Sequence, residues 1–175
     1  MEKKTCSNSL AVKTSHVLPP DTNNHGTLFG GKLMAHIDDV AAIAAVRHAR
    51  LPVVTASTDS VDFLSPVKEG DSICVEAFVT WTHNTSMEVF VKAVTENLLT
   101  GERRVCTTAF LTFVAIDDDG KPVPVPDVYP ETEQEKQLNK QAPDRARRRK
   151  ERRQHSKEIA RSFGTDYPWN KSKNY

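Results

Sequence analysis

Residues 21–39, DTNNHGTLFGGKLMAHIDD, gather three glycines, polar side chains and carboxylates in one short segment. Gly30 and Gly31 open a run that reads as a helix, and glycine lets a backbone come close to a ligand. The first N–H groups of a helix have no internal acceptor, and the helix dipole favours negative charge there. A carbonyl docked at that point would have its tetrahedral oxyanion stabilised, a large effect in acyl transfer. A turn followed by a plain helix cap fits the same residues. Asp38 is the second candidate. It flanks an apolar stripe, beside Met34, Ala41 and Ala45, whereas Asp39 turns about 100° further toward Lys32. A carboxylate on a covered helix needs a partner or a function. It could activate water as a general base or attack a carbonyl itself, or it could be a solvated surface group. His25 lies inside the glycine-rich segment, while His36 and His48 read as solvent-facing or polar-contact residues.

The elements that must position these groups follow from periodicity. Residues 9–18 read as a first strand, stopped by Pro19-Pro20 because proline lacks the N–H a ladder needs. Residues 31–49 read as a helix, rich in alanine, with Leu33, Ile37, Val40 and Ala44 on one stripe. Period-two alternation marks four strands at 53–67, 71–82, 86–98 and 103–117. Short connections at 68–71, 83–85 and 99–103 predict antiparallel pairing of chain neighbours. The order β-α-β-β-β-β is α+β rather than a βαβ repeat. One long helix against a bent antiparallel sheet buries both apolar faces.

The 175 residues suffice for one core but not comfortably for two. No stretch is apolar enough to cross a bilayer, and the N-terminus lacks the apolar run of a secretory signal. A cytoplasmic protein with no stable membrane insertion is expected. Cys6, Cys74 and Cys106 have neither zinc-knuckle nor CxxC spacing, so reduced thiols are expected, and the six histidines show no metal spacing. There is no GxSxG elbow and no GxxxxGK[ST] phosphate loop. Residues 1–130 carry 11 Lys/Arg against 16 Asp/Glu, and residues 131–175 carry 13 against 7. The basic character therefore belongs to a tail, residues 131–175, expected to be partly helical or disordered, with too thin an apolar stripe for a packed helix. Its run RARRRKERR at 145–153 could meet nucleic acid, an acidic membrane surface or the phosphates of a coenzyme, but it has no interleaved aromatics, so a solvated face or flexible tail is expected rather than a nucleic-acid site. Phe163, Tyr167, Trp169 and Tyr175 close the chain, to dock or to remain free.

DTNNHGTLFGGKLMAHIDDVAAIAA resembles the bacterial acyl-CoA thioesterases of the hotdog superfamily, relatives of the brain-type cytosolic acyl-CoA hydrolase. The likeness continues through VDFLSPVKEGD, HNTSMEV and FVAIDDDGKPVPVP. The resemblance implies a hotdog fold over residues 9–130: a five-stranded antiparallel sheet wrapped around one long helix, followed by the C-terminal extension. It implies hydrolysis of acyl-CoA to fatty acid and coenzyme A at a dimer interface, in a homo-oligomer that reaches a trimer of dimers. By resemblance, Asn23 and Asp38 are catalytic and come from opposite subunits, Gly31 supplies an N–H to the carbonyl, and Ser60 on the next strand assists. His25, Gly30, Thr85, Ser86 and Lys121 are expected to contact coenzyme A. No cofactor is expected, coenzyme A entering only as part of substrate or product. Two other readings stand beside this one: a non-catalytic acyl-CoA-binding or regulatory hotdog protein, and a hotdog enzyme of another type such as a dehydratase.

Overall fold

A computed structural model describes residues 3–165. Tyr167, Trp169 and Tyr175 lie outside the described residues. The chain divides into two compact units, residues 1–140 and 141–175.

The first unit is built around α1 (Gly30–Ala49). Its Leu33, Ile37, Val40, Ala41, Ala44 and Ala45 form one buried face, as the 3.6-residue period requires. The helix stops at Arg50, which takes a left-handed conformation at φ 56°, and Pro52 prevents resumption. Around α1 run β2 (Ala11–His16), β3 (Val53–Phe63), β4 (Ser72–His83), β5 (Ser86–Glu96) and β6 (Arg103–Ala115), after a two-residue β1 (Lys4–Thr5). The five long strands form one antiparallel sheet in the order β2-β4-β5-β6-β3. This is the expected α+β hotdog architecture. Val75, Val79, Val89, Val91, Leu111 and Phe113 line the inner face and bury against the helix. Each such side chain contributes about 1.5–3 kcal/mol through removal of apolar surface from water.

Neighbour pairing holds for β4–β5 and β5–β6 but not for β3–β4. Strand β3 crosses to the far edge and pairs with β6, Val53 opposite Ala115 and Phe63 opposite Thr107. Strand β3 ends at Phe63 rather than at the expected residue 67, so the connection runs over 64–71 instead of 68–71, and it is pinned elsewhere: Leu64 N–H donates to Cys106 at 2.8 Å, and Leu28 N–H donates to Val67 at 2.8 Å. Strand β3 also carries two bulges, between Thr55 and Ser57 and between Thr58 and Ser60. A further irregularity between Val79 and Trp81 buries Thr80 and brings Trp81 off the inner face on which simple alternation puts it.

A two-residue strand β7 (Val128–Tyr129) pairs in parallel with β1. Helix α2 (Glu133–Ser162) begins in the first unit and ends at Ser162 in the second. Strong helix formers and ion pairs such as Lys136–Glu133 at 2.7 Å and Arg147–Asp144 at 3.2 Å support it despite its thin apolar stripe.

Candidate active site

Residues 21–29 form a tight loop organised by Asn23. Gly26, at φ 67°, supplies the left-handed conformation that closes the turn, its N–H donating to the Asn23 carbonyl at 3.1 Å. The Asn23 side-chain oxygen accepts from His25 N–H at 2.9 Å and Thr27 N–H at 3.3 Å. Its amide nitrogen donates to Thr27 Oγ1 at 3.0 Å. Asn23 is thus held by its own loop, while His25 is exposed. Phe29 N–H donates to the Asp21 carbonyl at 2.9 Å and closes the loop, a Lys32–Asp21 ion pair at 3.2 Å ties it to α1, and Leu28 N–H to Val67 at 2.8 Å and Glu69 N–H to Gly26 at 3.0 Å fix it to the body of the unit.

The loop delivers the start of α1. Phe29 occupies the cap position and offers no side-chain acceptor. Its carbonyl takes the N–H of Lys32 at 2.9 Å and of Leu33 at 3.1 Å, so Gly30 and Gly31 keep N–H groups with no capping side chain. A Cβ on Gly31 would lie 2.6 Å from the Phe29 ring. Next to this end, Leu28, Leu33, Phe63 and Leu64 line a cavity of about 240 Å³.

Asp38 and Asp39 separate on the helix as the wheel predicts. Asp39 forms an ion pair with Lys13 of β2 at 2.8 Å, and that hydrogen bond and charge hold its carboxyl below the ordinary carboxylate value. Lys32 pairs instead with Asp21. Asp38 turns to the other flank, where Thr55 Oγ1 of β3 donates to its Oδ1 at 3.0 Å. Asp38 is exposed and has a neutral hydroxyl partner. It shares a helix face with Gly31 but lies seven residues, about 10 Å, further along the axis. Half-buried His36 is shifted toward the neutral form, by burial first and then by Lys13 and Lys32. Of the two settings expected for His48 it takes the polar contact: it is fully buried, with Nε2 2.8 Å from the Pro126 carbonyl.

Ser60 lies elsewhere. It pairs across the sheet with Phe110, whereas Thr55 pairs with Phe113, Thr58 with Leu111 and Val61 with Ala109. Phe113, Leu111 and Ala109 belong to the core under α1, so Ser60 stands on the sheet face turned away from the helix. The hydroxyl that reaches Asp38 is that of Thr55, which sequence reasoning missed. Residues 55, 57, 58 and 60 all carry hydroxyls, and bulges break the parity that would choose among them.

The remaining candidates gather near the opposite end of α1. Thr85 accepts Ala115 N–H at 3.1 Å, Ser86 pairs with Val114, and Lys121 closes the turn from Asp117 with its Nζ 3.5 Å from Asp119. Ile116 N–H donates to Pro52 at 3.0 Å, tying this group to the start of β3. Thr85, Ser86 and Lys121 therefore sit at one end of a 20-residue helix, about 30 Å long, and Asn23, His25, Gly30 and Gly31 at the other. Among the described residues no hydrogen bond joins Asn23 to Asp38, and no group of three or more His, Cys, Asp or Glu side chains is placed to hold a metal ion.

Residues 25–102 match the family described as the thioesterase superfamily. An uncharacterized acyl-CoA thioester hydrolase of Bacillus subtilis, YkhA, is 58% identical, the match covering 96% of this chain and 98% of that protein. The solved acyl-CoA hydrolase of Staphylococcus aureus, in complex with butyryl coenzyme A and coenzyme A, is 47% identical, covers 92% of this chain and 98% of its own, and superposes with a TM-score of 0.88. An apo-hexameric acyl-CoA thioesterase is 53% identical over 87% of this chain and 97% of its own, with a TM-score of 0.85. Solved variants of the Staphylococcus aureus hydrolase replace an asparagine, an aspartate and a threonine by alanine, and their mutual spacing equals that of Asn23, Asp38 and Thr55.

Proposed function

This chain belongs to the thioesterase superfamily, among its bacterial acyl-CoA thioester hydrolases, and we propose that it hydrolyses acyl-CoA thioesters at a site completed by two protomers. The observation that carries the shared site is the distance between its parts. Gly31 and Asp38 stand about 10 Å apart along one helix, whereas reacting atoms must approach to about 3–3.5 Å. One protomer therefore supplies the loop and helix start, with Asn23, Gly30 and Gly31, and Asp38 of the partner subunit faces them.

The carbonyl oxygen accepts from the helix-start N–H groups, and the positive end of the dipole stabilises the oxyanion. Asn23 positions the carbonyl or the water. Asp38 removes a proton from the attacking water, and its second oxygen is free to do so because Thr55 engages the first. Thr55 takes the assisting role for which Ser60 was expected. Coenzyme A leaves as a thiolate, which needs no strong general acid. Thr85, Ser86 and Lys121, exposed or half-buried near the far end of the helix, contact the nucleotide portion of the substrate.

Strand β3 supports the pairing. It is an edge strand of 11 residues with one unpaired ladder, exposed Val54 and Phe63, and Thr55 beside Asp38. Two such edges joined antiparallel make a continuous sheet and bring the two sites close. The hexameric relative supports assembly of three such dimers. Cys6, Cys74 and Cys106 are all free thiols, which suits the reducing cytoplasm.

The test is thiol release from acyl-CoAs of two to eighteen carbons by the native enzyme, Asp38→Asn and Asn23→Ala. Each variant alone falls by about 10² or more. Co-refolding the two in equal amounts restores about a quarter of native activity, because half of the symmetric dimers are mixed and each mixed dimer has one intact site. Two variants that never complement would refute the shared site. An inactive native enzyme would refute hydrolysis. Label from ¹⁸O-water found in Asp38 under single turnover would replace water attack by nucleophilic attack.

A further inference from the structure

The C-terminal end of α1 carries a feature to which the catalytic arrangement proposed above gives no part. Lys3, Lys4, Asn8, Arg47 and Arg50 line a depression of about 250 Å³. Four cations meet there without a carboxylate: among the described residues none of the four forms an ion pair. This occurs in the acidic part of the chain, where 16 Asp/Glu outnumber 11 Lys/Arg over residues 1–130.

A helix C-terminus attracts cations, and that accounts for part of the cluster. Lys4 Nζ donates to the His48 carbonyl at 2.7 Å, and Arg47 donates to the Leu10 carbonyl. Each keeps further donors, since an ammonium has three and a guanidinium five. Among the described residues, Lys3 and Arg50 have no such duty. Asn8 Oδ1 is taken by Thr5 N–H at 3.0 Å, which leaves its amide N–H groups to donate. The lining is therefore donor-rich and positive. Like charges held this close repel, and a bound anion of multiple charge relieves the repulsion.

We propose that this depression binds the phosphate groups of a nucleotide, with Arg47 and Arg50 as the principal ligands and Lys3, Lys4 and Asn8 around them. Its size admits a diphosphate, and arginine matches phosphate oxygens with paired N–H donors. Arg47 lies about half a turn of the helical wheel away from Asp38, toward Leu10 rather than toward β3, so the depression is not the catalytic flank of its own protomer. The phosphates come either from the nucleotide portion of the substrate or from a free nucleotide. Only the first source rests on the function proposed above.

Calorimetric titration with inorganic pyrophosphate and with ADP, at low and high salt, tests the site independently of turnover. The native protein binds pyrophosphate, more weakly at high salt. Lys3→Gln/Arg50→Gln, which removes two cations with no side-chain partner among the described residues, weakens binding at least about tenfold, and Arg47→Gln does so as well. No binding by the native protein, or undiminished binding by both variants, would overturn the proposal. Kinetics then separate the sources. A KM for acyl-CoA raised by Lys3→Gln/Arg50→Gln at constant kcat, with pyrophosphate competing, assigns the site to the substrate. An unchanged KM with ADP binding retained in the native protein assigns it to a free nucleotide.

Discussion

Replacing Thr55 by valine keeps the shape of the side chain and removes the hydroxyl that donates to Asp38 Oδ1 at 3.0 Å. A hydrogen bond to a charged acceptor contributes about 1.5–3 kcal/mol. Both groups are exposed in one protomer, so water replaces part of the loss and the lower figure applies. That corresponds to about a tenfold fall in kcat. Asp38→Asn removes the base itself and costs about 10²–10⁴. If Thr55 acts only by orienting Asp38, valine at position 55 costs nothing more in the Asp38→Asn background. The double-mutant cycle then returns a coupling of about 1.5 kcal/mol. Steady-state thiol release over pH 6–9, with kcat and KM resolved for all four proteins, gives that number. Thr55→Ser recovers most of the loss, and Ser60→Ala, on the other face of the sheet, loses none. Strict additivity of the two substitutions, or a Ser60→Ala defect as large as that of Thr55→Val, would refute the reasoning.

Gly31→Ala brings a methyl group to 2.6 Å from the Phe29 ring and must move it. A fall of at least about tenfold in kcat/KM is expected, since small misplacements at a reacting centre are costly, and Phe29→Ala in the same protein should restore part of it. Burial pushes the proton affinity of His48 below its ordinary value near 6.5, against the opposing effect of its hydrogen bond to Pro126. The unfolded chain then binds a proton that the folded one refuses, so stability falls as pH drops below about 6.5, by at most about 1.4 kcal/mol per pH unit. Urea titrations at pH 5.5 and 7.5 should show this, and His48→Gln, which retains a donor for Pro126, should flatten it. The Cys6 thiol is pushed up to about 12, by burial first and then by Glu135 and Glu131. Maleimide at pH 8 should label half-buried Cys74 first and Cys6 only in denaturant; rapid labelling of Cys6 in the native protein would contradict its burial.

Local pattern alone determined much of this protein. The 3.6-residue period placed α1 within one residue of its observed start, and period two located the four strands that follow it, because side-chain burial imposes those periods directly on the sequence. The wheel also separated Asp38 from Asp39, since a rotation of about 100° per residue is fixed by helix geometry. The tertiary structure decided what periods do not encode. Alternation says which face a residue takes but not which strand lies beside it, so the pairing of β3 with β6 had to come from long-range hydrogen bonds. Two bulges then reset parity along β3, which brought Thr55 to Asp38 and turned Ser60 away. Likewise, His48 looked polar and peripheral by type, yet the loop containing Pro126 closes over it. Residue type gave no sign of that loop, 78 positions away in the chain. The division of the candidate site between the two ends of α1 has the same origin: sequence names the chemical groups, and only folding sets the distances between them.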